Sequence, residues 1–476
     1  MGATDRGARM PMTRAPVPGG RPAAPPGVSR LFRLSVAAVL WAGGLAAEPP
    51  QEAAPAGKGV PARRGAPGGS ASEPTVESWP VWGGPRRDFT SSSTGLAAAW
   101  PPDGPRRLWS RKLGDGYSAI AEEKGVLYTA YRRGDQDVTI ALEAATGKTI
   151  WEHASDEPFK NAYSEAVGPG PYAMPQVIRD RVVTASGAGR VHSLDKRTGR
   201  PVWSHDLYSE FGGTRLQFGY SCHALPYRDT LIYLVGGAAP WFGFGRGSAI
   251  VAFRQGDGAV AWRNQGFTNA HSSPLLIEVD GQPQVVALLA DRVIGFSPED
   301  GALLWSHPHP TQNGLAISTP VWAEGNVLFV SSAYSGGARG LQLRQSGGET
   351  RVTELWHNPR IQLHFGAAVR VGDWVYVSSG HSGPAFVSAV EVKTGRVAWQ
   401  TRDFAKAQLL HADGRLLILD EDGVLGLARA TPERLEVLAR APLHERLSWT
   451  PPTLVGTRLY TRDRATIGAL ELGQRR

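Results

Sequence analysis

Several side chains suited to binding chemistry share one relation to the chain. Tyr172, His271 and Ser448 each stand three residues before a proline that opens an extended run, at Pro175, Pro274 and Pro451, as Ile317 does before Pro320. Carrying that alignment along the chain adds Lys406, Phe365 and Gly116, with Ser221 or His223 in a copy one residue out of step. His364 and Tyr117 are immediate neighbours. Lysine brings charge, imidazole brings donors that switch with protonation, and tyrosine brings a ring for stacking. Tyr117, Tyr172, His223, His271, His364 and Lys406 are therefore the candidate ligand-binding set, and their chemistry suits a small anionic, planar or polyol ligand. Trp241, Phe242 and Phe244, in the glycine-rich stretch 236–248, are a second set that offers rings to a protein partner.

Other chemistries are excluded by spacing. Within the set no two histidines stand two or four apart, so no local metal site is assigned. Asp135-Gln136-Asp137 opens like a calcium loop but lacks the glycine and distal glutamate. The run Gly243 to Gly247 has no helix pattern after it to cradle a phosphate, and no Gly-x-Ser-x-Gly elbow is present. Cys222 is the single cysteine, which rules out an intramolecular disulfide and a cysteine zinc site.

The elements that must hold these residues follow from a repeat. Ala141 to Trp151 reads ALEAATGKTIW: a strand, a turn whose Gly147 can take positive φ, and a second strand ending in an indole. Equivalent tryptophans stand at 109, 151, 203, 262, 305, 356 and 399, with Leu438 expected in the next such place. The gaps, 42, 52, 59, 43, 51, 43 and 39 residues, are the length of a four-stranded propeller blade. Three strand-like runs follow Leu438 without a closing hairpin arm, and Leu108 to Leu113 supplies the missing fourth strand. The expectation is an all-β, eight-bladed β-propeller of four-stranded antiparallel blades, closed by pairing of the N- and C-terminal strands. A seven-bladed ring is the competitor and requires that Leu438 mark no blade. Turns between third and fourth strands share one plain face of the disc, and the long variable loops share the other.

Charge and composition set the remaining bounds. The net charge of +8 divides evenly, because residues 1–78 carry nine Lys/Arg against five Asp/Glu. The rest is too nearly neutral for a nucleic-acid surface. Arg30 and Arg33 precede an apolar run from Leu34 to Leu45 and then Ala46-Ala47-Glu48, the shape of a signal peptide and too short to span a bilayer. The expected organisation is a signal peptide with an extended n-region (1–47), a disordered Pro/Ala/Gly linker (48–78), an aromatic lead-in (79–106) and the propeller (107–473). A periplasmic or secreted monomer without a transmembrane helix in its mature form is expected, since a closed ring has no free sheet edge.

The segments ALEAATGKTIW, SLDKRTGRPVW and AVEVKTGRVAW resemble the pyrroloquinoline-quinone-type (PQQ-like) propeller repeat. That repeat is shared by quinoprotein alcohol dehydrogenases and the outer-membrane assembly propeller lipoprotein. The resemblance implies the fold over about residues 79 to 472, and it implies two functions. One is a non-catalytic binding or scaffolding module, using its loop face and channel mouth for a protein partner or small ligand. The alternative is a PQQ- and calcium-dependent alcohol or sugar dehydrogenase, with Lys406 meeting the cofactor's carboxylates. Against the alternative, the adjacent-cysteine disulfide of the larger dehydrogenases is impossible here. Their calcium ligands are also not matched residue by residue, although Glu165, Asn161 and Asn269 lie in loops of the right face.

Overall fold

Short runs of Val, Ile, Leu and Tyr, broken by tight turns, pair in chain order into four-stranded antiparallel sheets. The computed structural model describes residues 76–160, 164, 168–213, 215–236, 249–264, 266–381 and 383–474. The chain divides into two units, Met1–Pro67 and Gly68–Arg476. The first, which carries the expected signal peptide, lies outside the described residues, as do Trp241, Phe242, Phe244, Asn161 and Glu165.

Among the described residues there are eight sheets, bearing out the eight-bladed expectation. Blades 1 to 7 span residues 121–156, 176–206, 225–264, 275–308, 321–358, 369–401 and 407–442. Blade 8 combines residues 453–471 with Arg106–Lys112, whose strand pairs antiparallel with Thr466–Glu471 and closes the ring. Within each blade the strands are lettered a to d from the channel outward. Middle strands are buried on both faces because each blade is sandwiched between two others: six consecutive residues are buried in Val126–Arg133 and six in Gln136–Glu143. Their sequences therefore read as continuous apolar runs, without strict alternation.

A β-bulge at one place in every strand d explains the tryptophan repeat. The register slips at Ile150, Val202, Ala261, Leu304, Leu355, Ala398, Leu438 and Leu108, each immediately before the anchoring position. A bulge re-aims the next side chain. Here it turns the indole toward the following blade, where Trp151 Nε1 donates to Lys196 O (3.0 Å) and Trp109 Nε1 to Ala144 O (3.0 Å). The ring lies over the glycine of that blade's turn: a Cβ on Gly199 would sit 2.5 Å from Trp151, and one on Gly147 2.6 Å from Trp109. Glycine is required there twice over, since both have φ near 70°.

Three junctions depart from this rule. Trp262 lies over Gly301 of the next blade, but its Nε1 is buried without a hydrogen-bond partner. Trp305 donates instead to Gln284 Oε1 within its own blade (2.8 Å). In blade 7 the register places Ala439, and not the expected Leu438, in the tryptophan position; Leu438 is the bulge residue. A methyl group cannot reach blade 8, and residues 96–104 cross that junction instead. Ala97 N donates to Leu472 O (2.8 Å), and Gly104 packs so closely on Ala441 that a Cβ would approach it to 2.6 Å.

The chain before blade 8 also spans the ring at its plain face. Trp79 pairs with Glu122 of blade 1, Val177 N of blade 2 donates to Pro80 O (2.8 Å), and His411 N of blade 7 donates to Phe89 O (3.0 Å). Thr90–Ser91 then runs parallel to Ala407–Ala412 as a fifth strand inside blade 7. These partners lie beside the a–b turns, so this segment closes the channel at the plain end and covers strand edges that are otherwise unpaired. Trp79, Phe89 and Leu96 are buried by it (3%, 4% and 2% exposed). Among the described residues no helix is long and apolar enough to cross a membrane.

Candidate functional site

At the loop face, the residues just ahead of each strand a rim the channel. Tyr172 leads into blade 2, Tyr117 into blade 1, Trp449 into blade 8 and Phe365 into blade 6. Their rings form a continuous arc, with centroid separations of 5.9 Å (Tyr172–Tyr117), 5.1 Å (Tyr117–Trp449) and 4.9 Å (Trp449–Phe365). His364 continues it 5.2 Å from Phe365, with Nε2 in a 2.8 Å hydrogen bond to the Tyr334 hydroxyl, and His381 lies 5.4 Å further on. Lys406 places its Nζ 5.4 Å from the Phe365 ring centroid. The structure thus gathers four of the six predicted residues, Tyr117, Tyr172, His364 and Lys406, into one half-buried arc.

The charges of this arc are paired. Lys406 Nζ stands 3.3 Å from Glu421 Oε2, the same oxygen that accepts Trp449 Nε1 (3.0 Å). Arg464 binds Asp115 through Nε (2.9 Å) and through Nη2. Lys406 is therefore not the free cation that its residue type implies.

Tyr117 is positioned from beneath by Arg462, whose side chain is fully buried between blades 8 and 1. Its guanidinium donates to Ala130 O (2.7 Å), Gly116 O (2.9 Å), Thr129 Oγ1 (3.1 Å) and Ser118 O (3.3 Å). Burial lowers the Arg462 guanidinium to about 10; its hydrogen bonds go to these neutral oxygens, while the charges of Asp463 and Asp115 act on it from nearby. The Tyr117 hydroxyl is buried without a hydrogen-bond partner, and burial pushes the phenol well above its ordinary range.

The remaining two predicted residues lie elsewhere. His271 stands near Ser221 and Phe218, with Nδ1 2.9 Å from Ser221 Oγ; burial lowers it to about 4. Ser221 is thus the residue at the level of His271. His223 lies two residues further into the channel. There it stacks on Trp82 (4.1 Å, 13°), with Nδ1 2.6 Å from Ser273 Oγ. Burial, then the Arg87 charge, lowers His223 to about 3; burial, then Lys406 and His381, lowers His364 to about 3. All three imidazoles are neutral at neutral pH and do not switch near it.

Sequence reasoning missed Trp449, Glu421, Arg462, Trp82 and Arg87. Trp449 follows the aligned Ser448 directly, so the proline alignment pointed within one residue of it. Glu421 and Arg462 come from b–c loops or strand ends of blades 7 and 8, and nothing in their local sequence marks them. Among the described residues no three His, Cys, Asp or Glu side chains converge as metal ligands.

Residues 93–206 and 135–401 match the family model described as outer membrane protein assembly factor BamB. No curated protein matches the chain. Among solved structures it is similar to BamB from Moraxella catarrhalis, at 17% identity and a TM-score of 0.55 over 77% of this chain and 99% of that one. It is also similar to the quinohemoprotein alcohol dehydrogenase from Comamonas testosteroni (12% identity, TM-score 0.60, 84% and 81% covered). A third likeness is Sqt1 from Saccharomyces cerevisiae (12%, 0.51, 80% and 100%). At these identities the structural likeness shows the fold alone.

Proposed function

The chain belongs to the outer membrane protein assembly factor BamB family of PQQ-like propellers, and from that premise we propose that it is a periplasmic or secreted binding module rather than a catalyst. In this reading residues 1–47 are a signal peptide, 48–78 a linker and 79–106 a lead-in to the propeller of 107–473. The loop face engages a protein partner and the channel mouth takes a small ligand. The observation that carries the reading is the state of the arc at the open mouth. Its rings, all but the buried Tyr117, are partly exposed, while Lys406 and Arg464 are held by Glu421 and Asp115. Such a surface offers contact area and directional hydrogen bonds, without an acid or base poised on a substrate.

Lys406 at the mouth and the likeness to a quinohemoprotein dehydrogenase favour a second reading, a PQQ- and calcium-dependent alcohol or sugar dehydrogenase. The residues present fit that cofactor poorly. The cofactor's carboxylates would meet a lysine already paired with Glu421, and no carboxylate set for calcium converges among the described residues. No catalytic step is assigned through it.

A photo-crosslinking residue separates the readings when placed at Arg360, exposed on the loop face, and at Arg200, exposed on the plain face. A discrete adduct from position 360 and none from 200 is expected. Adducts from the plain face only, or saturable alcohol-dependent dye reduction after loading with calcium and the quinone, would overturn the proposal.

A further inference from the structure

We propose that the channel holds a small oxyanion, a carboxylate or phosphate group, bound by Arg87 and the Nε2–H of His223 with Trp82 as an aromatic wall. The proposal rests on the reading of the channel as a binding site and names the chemistry of its ligand.

Arg87 and its neighbour differ sharply. Arg86 pairs with Glu77 at 3.1 Å, whereas the Arg87 guanidinium makes no hydrogen bond or ion pair among the described residues. Asp88, the adjacent carboxylate, is committed to Thr90 through its backbone N–H (2.9 Å) and hydroxyl (2.7 Å). Arg87 is surrounded by protein closely enough that burial alone lowers it to about 10, yet part of its surface stays open. Arg87 stands in the segment that crosses the plain end of the channel, between Trp82, which stacks on His223, and Phe89, whose carbonyl accepts from His411 N, and at neutral pH it is charged. A cation so placed without a counter-charge is costly, and an anion relieves the cost.

The backbone holds Arg87 in place. It has φ 59°, its N–H donates to Gly84 O (3.0 Å), and Phe89 N–H donates to Gly83 O (2.9 Å). Gly83 is packed so tightly there that a Cβ would stand 2.7 Å from the Arg87 carbonyl carbon. The left-handed conformation of a non-glycine residue is thus fixed by a tight loop.

His223 supplies the second group. Ser273 Oγ accepts the His223 backbone N–H (3.2 Å) and lies 2.6 Å from Nδ1, and its hydroxyl proton is assigned to Nδ1 because no other acceptor is within its reach among the described residues. The one ring proton of the neutral imidazole then sits on Nε2, which is buried without a partner. The two groups are near enough for the Arg87 charge to act on His223. Trp82 stacks on that imidazole while its Nε1 donates to Thr319 Oγ1 (3.0 Å), which holds the indole across the channel. With the plain end closed by residues 79–96, the ligand enters from the loop face.

The full chain is titrated with inorganic phosphate, acetate and pyridine-2,6-dicarboxylate by calorimetry and by thermal unfolding. Saturable binding that raises Tm is expected, weakened at least tenfold in Arg87→Gln and less in Arg87→Lys. Phosphate outranking both carboxylates identifies a phosphate site. The ring dicarboxylate outranking acetate, with the advantage lost in Trp82→Leu, identifies an aromatic carboxylate site. In anion-free buffer Arg87→Gln should be at least as stable as the parent, because it removes an unpaired charge. Absence of anion binding, equal binding by Arg87→Gln, or its destabilisation in anion-free buffer would each overturn the proposal. Crosslinking from position 360 in the Arg87→Gln protein is expected to be unchanged, so failure of the anion site alone leaves the partner-binding reading standing.

Discussion

The two mouths of the channel are built by different means. At the plain end a segment remote in sequence lies across the ring and pairs with the backbone edges of blades 1, 2 and 7. Among the described residues no segment crosses the loop end, and side chains from five successive blade junctions, those leading into blades 2, 1, 8, 7 and 6, gather there. Backbone pairing makes a seal that is indifferent to most substitutions along it, whereas a rim of side chains can be altered one residue at a time. A fold of identical blades thus becomes a cup with one fixed end and one adaptable end.

Removing residues 76–97 is the most severe test of that contrast. It exposes the surfaces against which Trp79, Phe89 and Leu96 are buried, each contributing about 2–3 kcal/mol. It also removes residues 96 and 97, and with them the Ala97 hydrogen bond to Leu472 O, from the segment crossing the blade 7–8 junction, which has only Ala439 in the tryptophan place. The midpoint of thermal unfolding should fall by more than about 10 °C. A scanning-calorimetry transition unchanged in midpoint would mean that the plain end is sealed by the blades alone.

Arg462→Met tests the other end with a smaller expected effect. The substitution keeps the volume but takes the guanidinium donor from the buried carbonyls of Gly116 and Ala130, while Ser118 O keeps Thr129 Oγ1, at a cost of about 2 kcal/mol in total. Because these carbonyls belong to or flank the loop carrying Tyr117, the loss should be accompanied by a change in the near-ultraviolet signal of the Tyr117–Trp449 pair. Urea unfolding followed by near-ultraviolet circular dichroism reads both. A stability loss with an unaltered aromatic signal would show that Arg462 supports the ring closure without positioning the rim.

The difference between the ends also marks what the sequence could reveal. Tryptophan spacing and the Thr-Gly turn gave blade number and closure, because every copy has the bulge and most have the indole and the positive-φ glycine. The same spacing put Leu438 where Ala439 belongs, since a bulge shifts the count by one and leaves no mark in composition. At the rim, the proline alignment found Tyr172 and Lys406 and left Ser221 and His223 unresolved, for a one-residue step decides whether a side chain faces the mouth or the interior. The Glu421 that neutralises Lys406 was not legible, because it lies fifteen residues away on the next b–c loop and the pairing exists only in three dimensions. Nor was the path of residues 79–96. Its contacts run through backbone groups to strands as far as 322 residues away, and backbone pairing imposes no residue pattern.

The smallest effect is expected in the pH dependence, and it distinguishes the two ends at single residues. His223 and His271 are buried neutral, at about 3 and about 4, against about 6.5 for an unfolded histidine. Between those values the unfolded chain binds the proton and the folded one does not. Stability is therefore complete above about pH 6.5 and is lost as pH falls toward 4, by about 1.4 kcal/mol per pH unit for each histidine. Both should contribute to the slope, and His271→Gln or His223→Gln should each remove one share. Trp82→Ala separates them. Stripping the indole from the face of His223 admits water there and lets that imidazole rise toward its ordinary value, while His271, held at the rim by Ser221, is untouched. Urea midpoints at pH 5 and pH 7.5 should then differ less in Trp82→Ala than in the parent. Adding His271→Gln to that variant should shrink the difference again. If Trp82→Ala leaves the slope intact, His223 is desolvated by the blades and not by the segment that closes the plain end.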